Sequence, residues 1–354
     1  MTSRKRLDCV FTRRRPDRTP ILGGWIACPE HICELAGVDI ETYWSDPIPI
    51  SINAYRKLGS DGLIGVFVPK HRSDFRCVDH ETYQHAKSKL TLEETVEYID
   101  TLPEPEWIEE HFDFDAEYDA LAEELRSGQA ASEELLWVPA QWGIAARVNW
   151  YGELGYENFF GIVGGYAKHA RKLMEVGGAR GYCRSRLIAR AVTEGLYPKA
   201  LLFGEDICTQ RGPMNSPAFM ERHYAPQLAR GLAPLLEAGC MPVWHSDGDI
   251  RPIMDMLIDC GIQGFQGFQP ECGMRVEEII EMKTREGDGL IIFGPLSVTG
   301  ELPVMSPDEV AERVREVIEI CDGNAHLALF TANTINPDVP LANIRAMHEA
   351  IIEA

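Results

Sequence analysis

The sequence has no apolar run near the roughly 20 residues that a transmembrane helix needs, so we expect no membrane partner. Positive charge is also scarce, with 34 lysines and arginines against 55 acidic residues and a net charge of −21. Because phosphate binding requires a cationic surface, we expect no nucleic-acid partner. The ten cysteines form no CxxC pair and follow no secretory signal, which favours reduced thiols in a cytoplasmic protein.

The few positive charges include a cluster near the N-terminus. Asp8 and Asp17 interrupt this cluster and no apolar signal core follows it, so the pattern favours a solvated first helix over a targeting peptide. The basic residues concerned are Arg4, Lys5, Arg6, Arg13, Arg14, Arg15 and Arg18.

Short apolar runs alternate with helical patterns along the chain, which is typical of successive βα units. Eight such runs in one chain predict an α/β protein, a (β/α)₈ TIM barrel forming a single domain over 1–354. A doubly wound sheet has less support, because no GxGxxG follows the first run. The predicted strands are Pro20–Ile26, Gly62–Val68, Leu135–Ala140, Ala200–Gly204, Met241–His245, Ile262–Phe268, Leu290–Pro295 and His326–Thr331.

Some helix ends are legible in the sequence. Ser216 followed by Pro217 predicts a helix start, and Gly239 predicts its end. Ser306 and Glu309 have the spacing of a capping box. The acidic segment 70–134 fits the repeat poorly, and we interpret it as an insertion after strand 2, with exposed strands and a solvated helix forming a lid.

Polar residues follow several predicted strands at their C-terminal ends, where α/β proteins bind ligands. His245, Asp247 and Asp249 follow one strand directly, and Glu205 with Asp206 follow another. Gln269 and Glu271 come after the sixth strand, and Asn333 after the eighth. We therefore expect these side chains to converge on one site.

The same segments resemble the uroporphyrinogen decarboxylase superfamily over nearly the whole chain, least between about 70 and 135. The resemblance implies a TIM barrel. The motifs that carry it are Pro16–Pro20, Gly204–Asp206, Thr209–Pro213, Ser216–Pro217, His245–Asp249, Gln269–Glu271, Gly273–Met274, Pro337–Pro340 and Asn343–Ile344.

Within that superfamily the sequence looks closer to the cobalamin-dependent methyltransferases than to the true decarboxylase. The decarboxylase holds substrate carboxylates with an arginine after the first strand and uses an aspartate after the second. Here Gly23–Pro29 contains no arginine and Phe67–Pro69 contains no aspartate. A tetrapyrrole with several carboxylates would lack counter-charges there.

The methyltransferase branch implies a zinc site with a His-x-Cys motif, which His245 matches in part. Asp247 stands at the position of the cysteine, and Asn333 falls near the second cysteine position. The sequence therefore suggests a harder metal site of His245, Asp247 and Glu205, suited to zinc or another divalent ion. Cys208 and Cys272 follow strand ends and could add a sulfur ligand.

The remaining assignments follow from side-chain chemistry. Glu205, Asp206, His245 and Glu271 are the predicted catalytic residues, with Glu205 favoured over Asp206 as the inward-facing carboxylate. Trp25, Trp142, Gln269 and Asn333 are predicted to bind substrate. Structural alternatives stay open: His245 could be a hydrogen-bonded core group, Asp247 a helix cap, and the tryptophans ordinary core residues.

We therefore expect a methyltransferase that moves a methyl group between a small methylated substrate and the cobalamin of a partner corrinoid protein. Two alternatives stay open, a metal-independent lyase or decarboxylase of a small acid and a non-catalytic ligand-binding barrel. Related barrels often pair, so a homodimer is an expectation by analogy alone.

Overall fold

The computed structural model describes residues 1–70 and 88–353, a mixed α/β structure with parallel sheets. Every predicted strand overlaps an observed one, although the first three strands are only two residues long. The strands are β1 (Leu22–Gly23), β2 (Gly62–Leu63), β3 (Leu136–Trp137), β4 (Ala200–Gly204), β5 (Cys208–Thr209), β6 (Gly212–Pro213), β7 (Met241–His245), β8 (Gly264–Gln266), β9 (Ile291–Leu296) and β10 (His326–Thr331).

Strand pairing gives two parallel sheets rather than one continuous sheet. One has the order β1-β2-β3 and the other β10-β9-β8-β7-β4, while β5 and β6 form a small antiparallel pair that the sequence did not predict. Isolated contacts join the two sheets at both edges. Ile21 bridges to Leu329 beside β1 and β10, and the Gln141 amide donates to the Leu202 carbonyl at 2.8 Å beside β3 and β4.

Helices connect the strands in the alternation that the sequence predicts. They are α1 (Ser3–Phe11), α2 (Pro29–Ala36), α3 (Ile40–Ser45), α4 (Pro47–Lys57), α5 (Leu92–Thr101), α6 (Pro105–Glu110), α7 (Phe114–Ser132), α8 (Tyr151–Leu154), α9 (Tyr156–Gly165), α10 (Ala167–Thr193), α11 (Pro217–Phe219), α12 (Ala225–Glu237), α13 (Arg251–Cys260), α14 (Val276–Ile279), α15 (Pro307–Cys321) and α16 (Leu341–Glu353), with a π-helical turn at Met220–Tyr224 and a 3₁₀ turn at Pro270–Cys272.

The predicted helix ends are confirmed. Ser306 accepts from the Glu309 amide, and the Glu309 carboxylate accepts from the Ser306 amide at 2.7 Å, which completes the capping box of α15. Ser216 caps α11 by accepting from the Phe219 amide at 3.2 Å. Gly239 has a left-handed backbone, with φ of 73°, directly after α12 and its C-cap residue Ala238.

The acidic segment forms three helices joined by short loops between 88 and 134. Thr91 forms a capping box at the start of α5, Pro105 occupies the first turn of α6, and Asp113 caps α7. The exposed strands predicted for this segment are therefore absent between 88 and 134. The helix-start signals of Thr91, Pro105 and Asp113 favour helices there instead. Residues 71–87, where the prediction also falls, lie outside the described residues.

Two apolar clusters form the core. The larger packs helices onto the outer faces of the strands. The smaller takes Leu22, Leu202, Val243 and Phe293 from both sheets and adds Phe11 of α1. The first helix is thus packed through one face rather than only solvated as predicted, because its apolar residues meet the strands of both sheets.

The N-terminal basic residues are largely neutralised by acidic partners. Arg6 pairs with Asp17 at 2.7 Å, and Arg18 pairs with the fully buried Asp61 at 2.9 Å. Arg15 reaches Asp322 at 3.2 Å. These pairs give the cluster a structural role at the start of the fold. Separately, no helix within the described ranges is both long and apolar enough to cross a bilayer.

His348 on α16 makes stability sensitive to acid. The side chain is 3% exposed, and burial lowers the pKa of His348 to about 4. The unfolded chain binds this proton near pH 6.5, so between pH 6.5 and 4 the unfolded state holds more protons than the native state. Acid should therefore lower the free energy of unfolding by an amount approaching about 3 kcal/mol from this group.

We expect His348→Gln to flatten the pH dependence of urea unfolding between pH 6.5 and 4, because glutamine does not titrate there. The exposed His111 supplies the matched control, and His111→Gln should keep the slope of the parent protein. A His348→Gln variant with the parent slope would contradict the assignment.

Candidate active site

The C-terminal ends of β4 and β7 bring the central residues together. Gly204 at the end of β4 is paired in register with His245 at the end of β7, so the residues that follow emerge side by side. One ligand atom each from Asp206, His245 and Asp247 lies within 4.8 Å of the others. These three residues, called the acidic–histidine cluster below, meet at the sheet edge where the sequence predicts a site.

His245 is the buried member of the cluster, with 6% of its surface exposed. Its Nε2 lies 3.4 Å from Oδ1 of Asp206, and its Nδ1 has no hydrogen-bond partner among the described residues. Burial opposes the charged imidazolium, but the hydrogen bond and charge of Asp206, together with the charge of Asp247, raise the pKa of His245 overall. The pairing correspondingly lowers the pKa of Asp206 despite burial.

Asp247 is held by groups from two other strand ends. The Asn333 amide donates to both carboxylate oxygens of Asp247, at 2.9 and 2.8 Å. Gln269 accepts from the Gly248 amide at 2.7 Å, which braces the same turn. Burial raises the pKa of Asp247. Asn333 and Gln269, predicted as substrate-binding residues, are thus placed as supports of the Asp247 turn.

Glu205 and Asp206 point apart, as neighbours in an extended segment do, and Asp206 is the one that faces His245. Glu205 instead accepts from the Val148 amide at 3.0 Å and from the Asn149 amide at 2.8 Å. Burial, opposed by these amides, raises the pKa of Glu205 to about 7. The Glu205 carboxylate is thus bound to the loop that follows β3, and both Glu205 and Asp206 line the cavity described below.

Glu271, Cys208 and Cys272 lie outside the acidic–histidine cluster. Glu271 accepts from Ser297 at 3.1 Å and also from Thr299, so it ties the 3₁₀ turn to the residues after β9. Burial raises the pKa of Cys208 to about 12 and raises that of Cys272. Neither cysteine belongs to the group of residues whose ligand atoms converge around His245.

A cavity of about 770 Å³ opens beside the cluster. Trp25 and Trp142 form part of its wall, with ring centroids 6.4 and 5.8 Å from the His245 ring. The Trp25 indole donates to the Ile64 carbonyl at 3.0 Å, whereas Trp142 is 50% exposed. A cavity of this size with aromatic walls and a few convergent polar groups is typical of a small-molecule site.

Sequence reasoning missed several residues of the cavity wall, among them Arg180 and Arg184 of α10. In the sequence they are two of several exposed charges on a long helix, and nothing in their spacing separates them from a solvated face. Tyr151 of α8 was also missed. Its hydroxyl donates to the Asp206 carbonyl at 2.7 Å. Only the tertiary packing of α8 and α10 brings these groups to the site.

No family model matches the chain, and no curated protein is significantly similar to it in sequence. Among solved structures the chain resembles a methyltransferase from Methanosarcina mazei, with a TM-score of 0.64 and 13% sequence identity. The likeness covers 100% of this chain and 99% of that one. At this level of identity it is a likeness of fold, and the chain shares its overall architecture with that methyltransferase from end to end.

Proposed function

We propose that this protein is a methyltransferase that removes a methyl group from a small methylated substrate and passes it to a partner corrinoid protein. The observation that carries the proposal is the acidic–histidine cluster beside an aromatic-walled cavity, at the strand ends of a fold shared with a methyltransferase. His245 is buried, and burying an ionisable group costs free energy unless the group is paired or binds a ligand.

The proposal includes a closed eight-stranded barrel of the uroporphyrinogen decarboxylase type. Two observations support closure: the contacts that join the sheets at both edges, and the smaller apolar cluster that draws on strands of both sheets. In barrels of this kind the active site lies at the C-terminal ends of the strands. The cavity beside Trp25, Asp206 and His245 has that placement.

The cluster fits a divalent metal with nitrogen and oxygen ligands. Three protein ligands with one open position is the usual pattern of catalytic zinc, and His245, Asp206 and Asp247 would hold the ion. The two hydrogen bonds from Asn333 hold Asp247 in place as a ligand, and the buried Nδ1 of His245 has no partner among the described residues and is free to bind an ion. When bound, the ion would supply Lewis acidity to the substrate atom that loses its methyl group.

The reaction breaks the bond between the methyl carbon and an oxygen or nitrogen of the substrate. That atom would keep the electron pair of the broken bond and take up a proton, and the super-reduced cobalt of the partner protein's corrinoid would supply the electron pair of the new bond to the methyl group. The chain must position the substrate, exclude water and hold the proton that the substrate atom takes up. Asp206 orients His245, Asn333 orients Asp247, and the tryptophans shape the cavity.

A metal-independent lyase or decarboxylase of a small acid is the second candidate. The guanidinium groups of Arg147, Arg180 and Arg184 on the cavity wall favour it, because a carboxylate substrate needs a cationic partner. His245, whose pKa is raised, would then act as the proton donor. A non-catalytic ligand-binding barrel is the third candidate, and it gives the acidic–histidine cluster no role.

The test is methyl transfer with the zinc-loaded protein, a reduced corrinoid protein and a panel of methyl ethers and methylamines, followed by the visible absorbance of the corrinoid. We expect transfer with at least one substrate and a loss of about 100-fold or more in Asp206→Asn. Asp119→Asn, a change of an exposed carboxylate on α7, should leave the rate unchanged. Carbon dioxide release from small acids without corrinoid methylation would favour the lyase instead.

A further inference from the structure

Arg180 and Arg184 stand together on the wall of the active-site cavity. They are four residues apart on α10, so they lie on one face of the helix, one turn apart. Both line the same cavity as His245 and Trp142. The cavity therefore has two guanidinium groups on one side and the acidic–histidine cluster on another.

Neither guanidinium has an acidic partner in the part of the chain that the structure describes. Other arginines nearby are paired: Arg147 with Glu153 at 2.6 Å, Arg190 with Glu194 at 2.9 Å and Arg230 with Glu109 at 2.6 Å. The Arg180 guanidinium lies over the Trp150 ring, 5.6 Å from its centroid, so it packs on an aromatic ring and is not paired with a carboxylate of the described residues. The acidic residues of the cavity are already engaged, Glu153 by Arg147, Glu205 by backbone amides and Asp206 by His245.

The packing of α10 fixes where these arginines stand. A side chain at Gly181 would meet the Ala145 backbone at 2.5 Å, and one at Gly177 would meet the Arg147 carbonyl at 2.6 Å. The helix therefore lies directly against the loop that follows β3. A side chain at Gly143 would come within 2.8 Å of the Arg184 guanidinium, so this group sits beside the turn that carries Trp142.

We infer that Arg180 and Arg184 bind a carboxylate group of the substrate, so that the substrate is a small methylated carboxylic acid. The inference rests on the proposed function for the reaction, and it adds the class of molecule. Guanidinium groups bind carboxylates through parallel N–H···O hydrogen bonds. The lining also contains three carboxylates, of Glu153, Glu205 and Asp206, against three arginines, which favours a monoanion over a phosphate dianion.

Binding can be tested by calorimetry with benzoate and benzamide, which match in size and differ in charge. We expect the parent protein to bind benzoate at least about 10-fold more tightly than benzamide, from charge-assisted hydrogen bonds. Arg180→Gln and Arg184→Gln should each weaken benzoate binding, and the double variant should bring the ratio to about one. Arg186→Gln is the matched control on α10, because the Arg186 guanidinium lies over Phe114, 5.0 Å from its centroid.

Equal binding of benzoate and benzamide by the parent protein would overturn the inference, as would an equal loss in Arg186→Gln. Inorganic phosphate is the third probe, and tighter binding of phosphate than of benzoate would overturn the carboxylate class. The benzoate titrations need neither corrinoid protein nor methyl transfer, so they test the anion site independently of the reaction. Failure of methyl transfer by the parent protein would therefore count against the proposed function alone. The binding measurements decide on the anion site separately.

Discussion

Replacing His245 with alanine is expected to abolish stoichiometric binding of a divalent metal, with a loss of affinity of at least about 100-fold. His245 supplies the nitrogen ligand of the cluster, and its removal leaves only the carboxylates of Asp206 and Asp247. Removing even a supporting group around a metal ligand costs roughly 10- to 100-fold in affinity, so loss of a ligand costs more. Two carboxylates alone select poorly for zinc against calcium or magnesium.

The measurement is elemental analysis after zinc loading and dialysis, with about one zinc per chain expected for the parent protein and essentially none for His245→Ala. His223→Ala removes a histidine from the π-helical turn, outside the cluster, and should keep the metal. The metal-assisted mechanism would be contradicted if the parent protein retained no zinc, or if His245→Ala retained one zinc per chain. Acid catalysis or simple ligand binding would then remain.

The strand positions could be predicted from the sequence because each strand is a short, buried apolar run between helical patterns. Met241–His245 and Ala200–Gly204 were predicted with the bounds that the structure has. The convergence of Asp206, His245 and Asp247 followed from parallel strands, whose C-terminal ends share one edge. Asn333, from the last strand, reaches Asp247 for the same reason.

The hydrogen-bond partners of the neighbouring carboxylates Glu205 and Asp206 could not be predicted, because they depend on which loop supplies the donors. Glu205 turns toward the amides of Val148 and Asn149, more than 50 residues earlier in the chain, and no local pattern signals that contact. The positions of Arg180 and Arg184 on α10 could not be predicted for a similar reason. Their position near the cluster depends on the close packing of α10 against the loop after β3 at Gly177 and Gly181. The pattern of hydrophobic residues does not reveal this packing.

Gly204→Ala is expected to lower the free energy of unfolding by more than about 3 kcal/mol and to remove metal binding with it. A Cβ at this position would lie 1.9 Å from the His245 carbonyl oxygen and 2.6 Å from the His245 nitrogen. Both are backbone atoms of the paired strand, so no side-chain rotation can relieve the overlap, and β4 must move away from β7. That movement separates Asp206 from His245, because each residue lies directly at or after the end of one of these strands.

The control is Gly164→Ala on α9, where an added Cβ meets nothing within 4 Å. Alanine favours a helix over glycine by up to about 1 kcal/mol, so this variant should unfold at an equal or slightly higher urea concentration than the parent. A Gly204→Ala variant as stable as Gly164→Ala would mean that β4 and β7 can separate at little cost. The position of His245 would then depend on its contacts with Trp25 and Asp206 rather than on strand register, and metal content in Gly204→Ala would distinguish the two explanations.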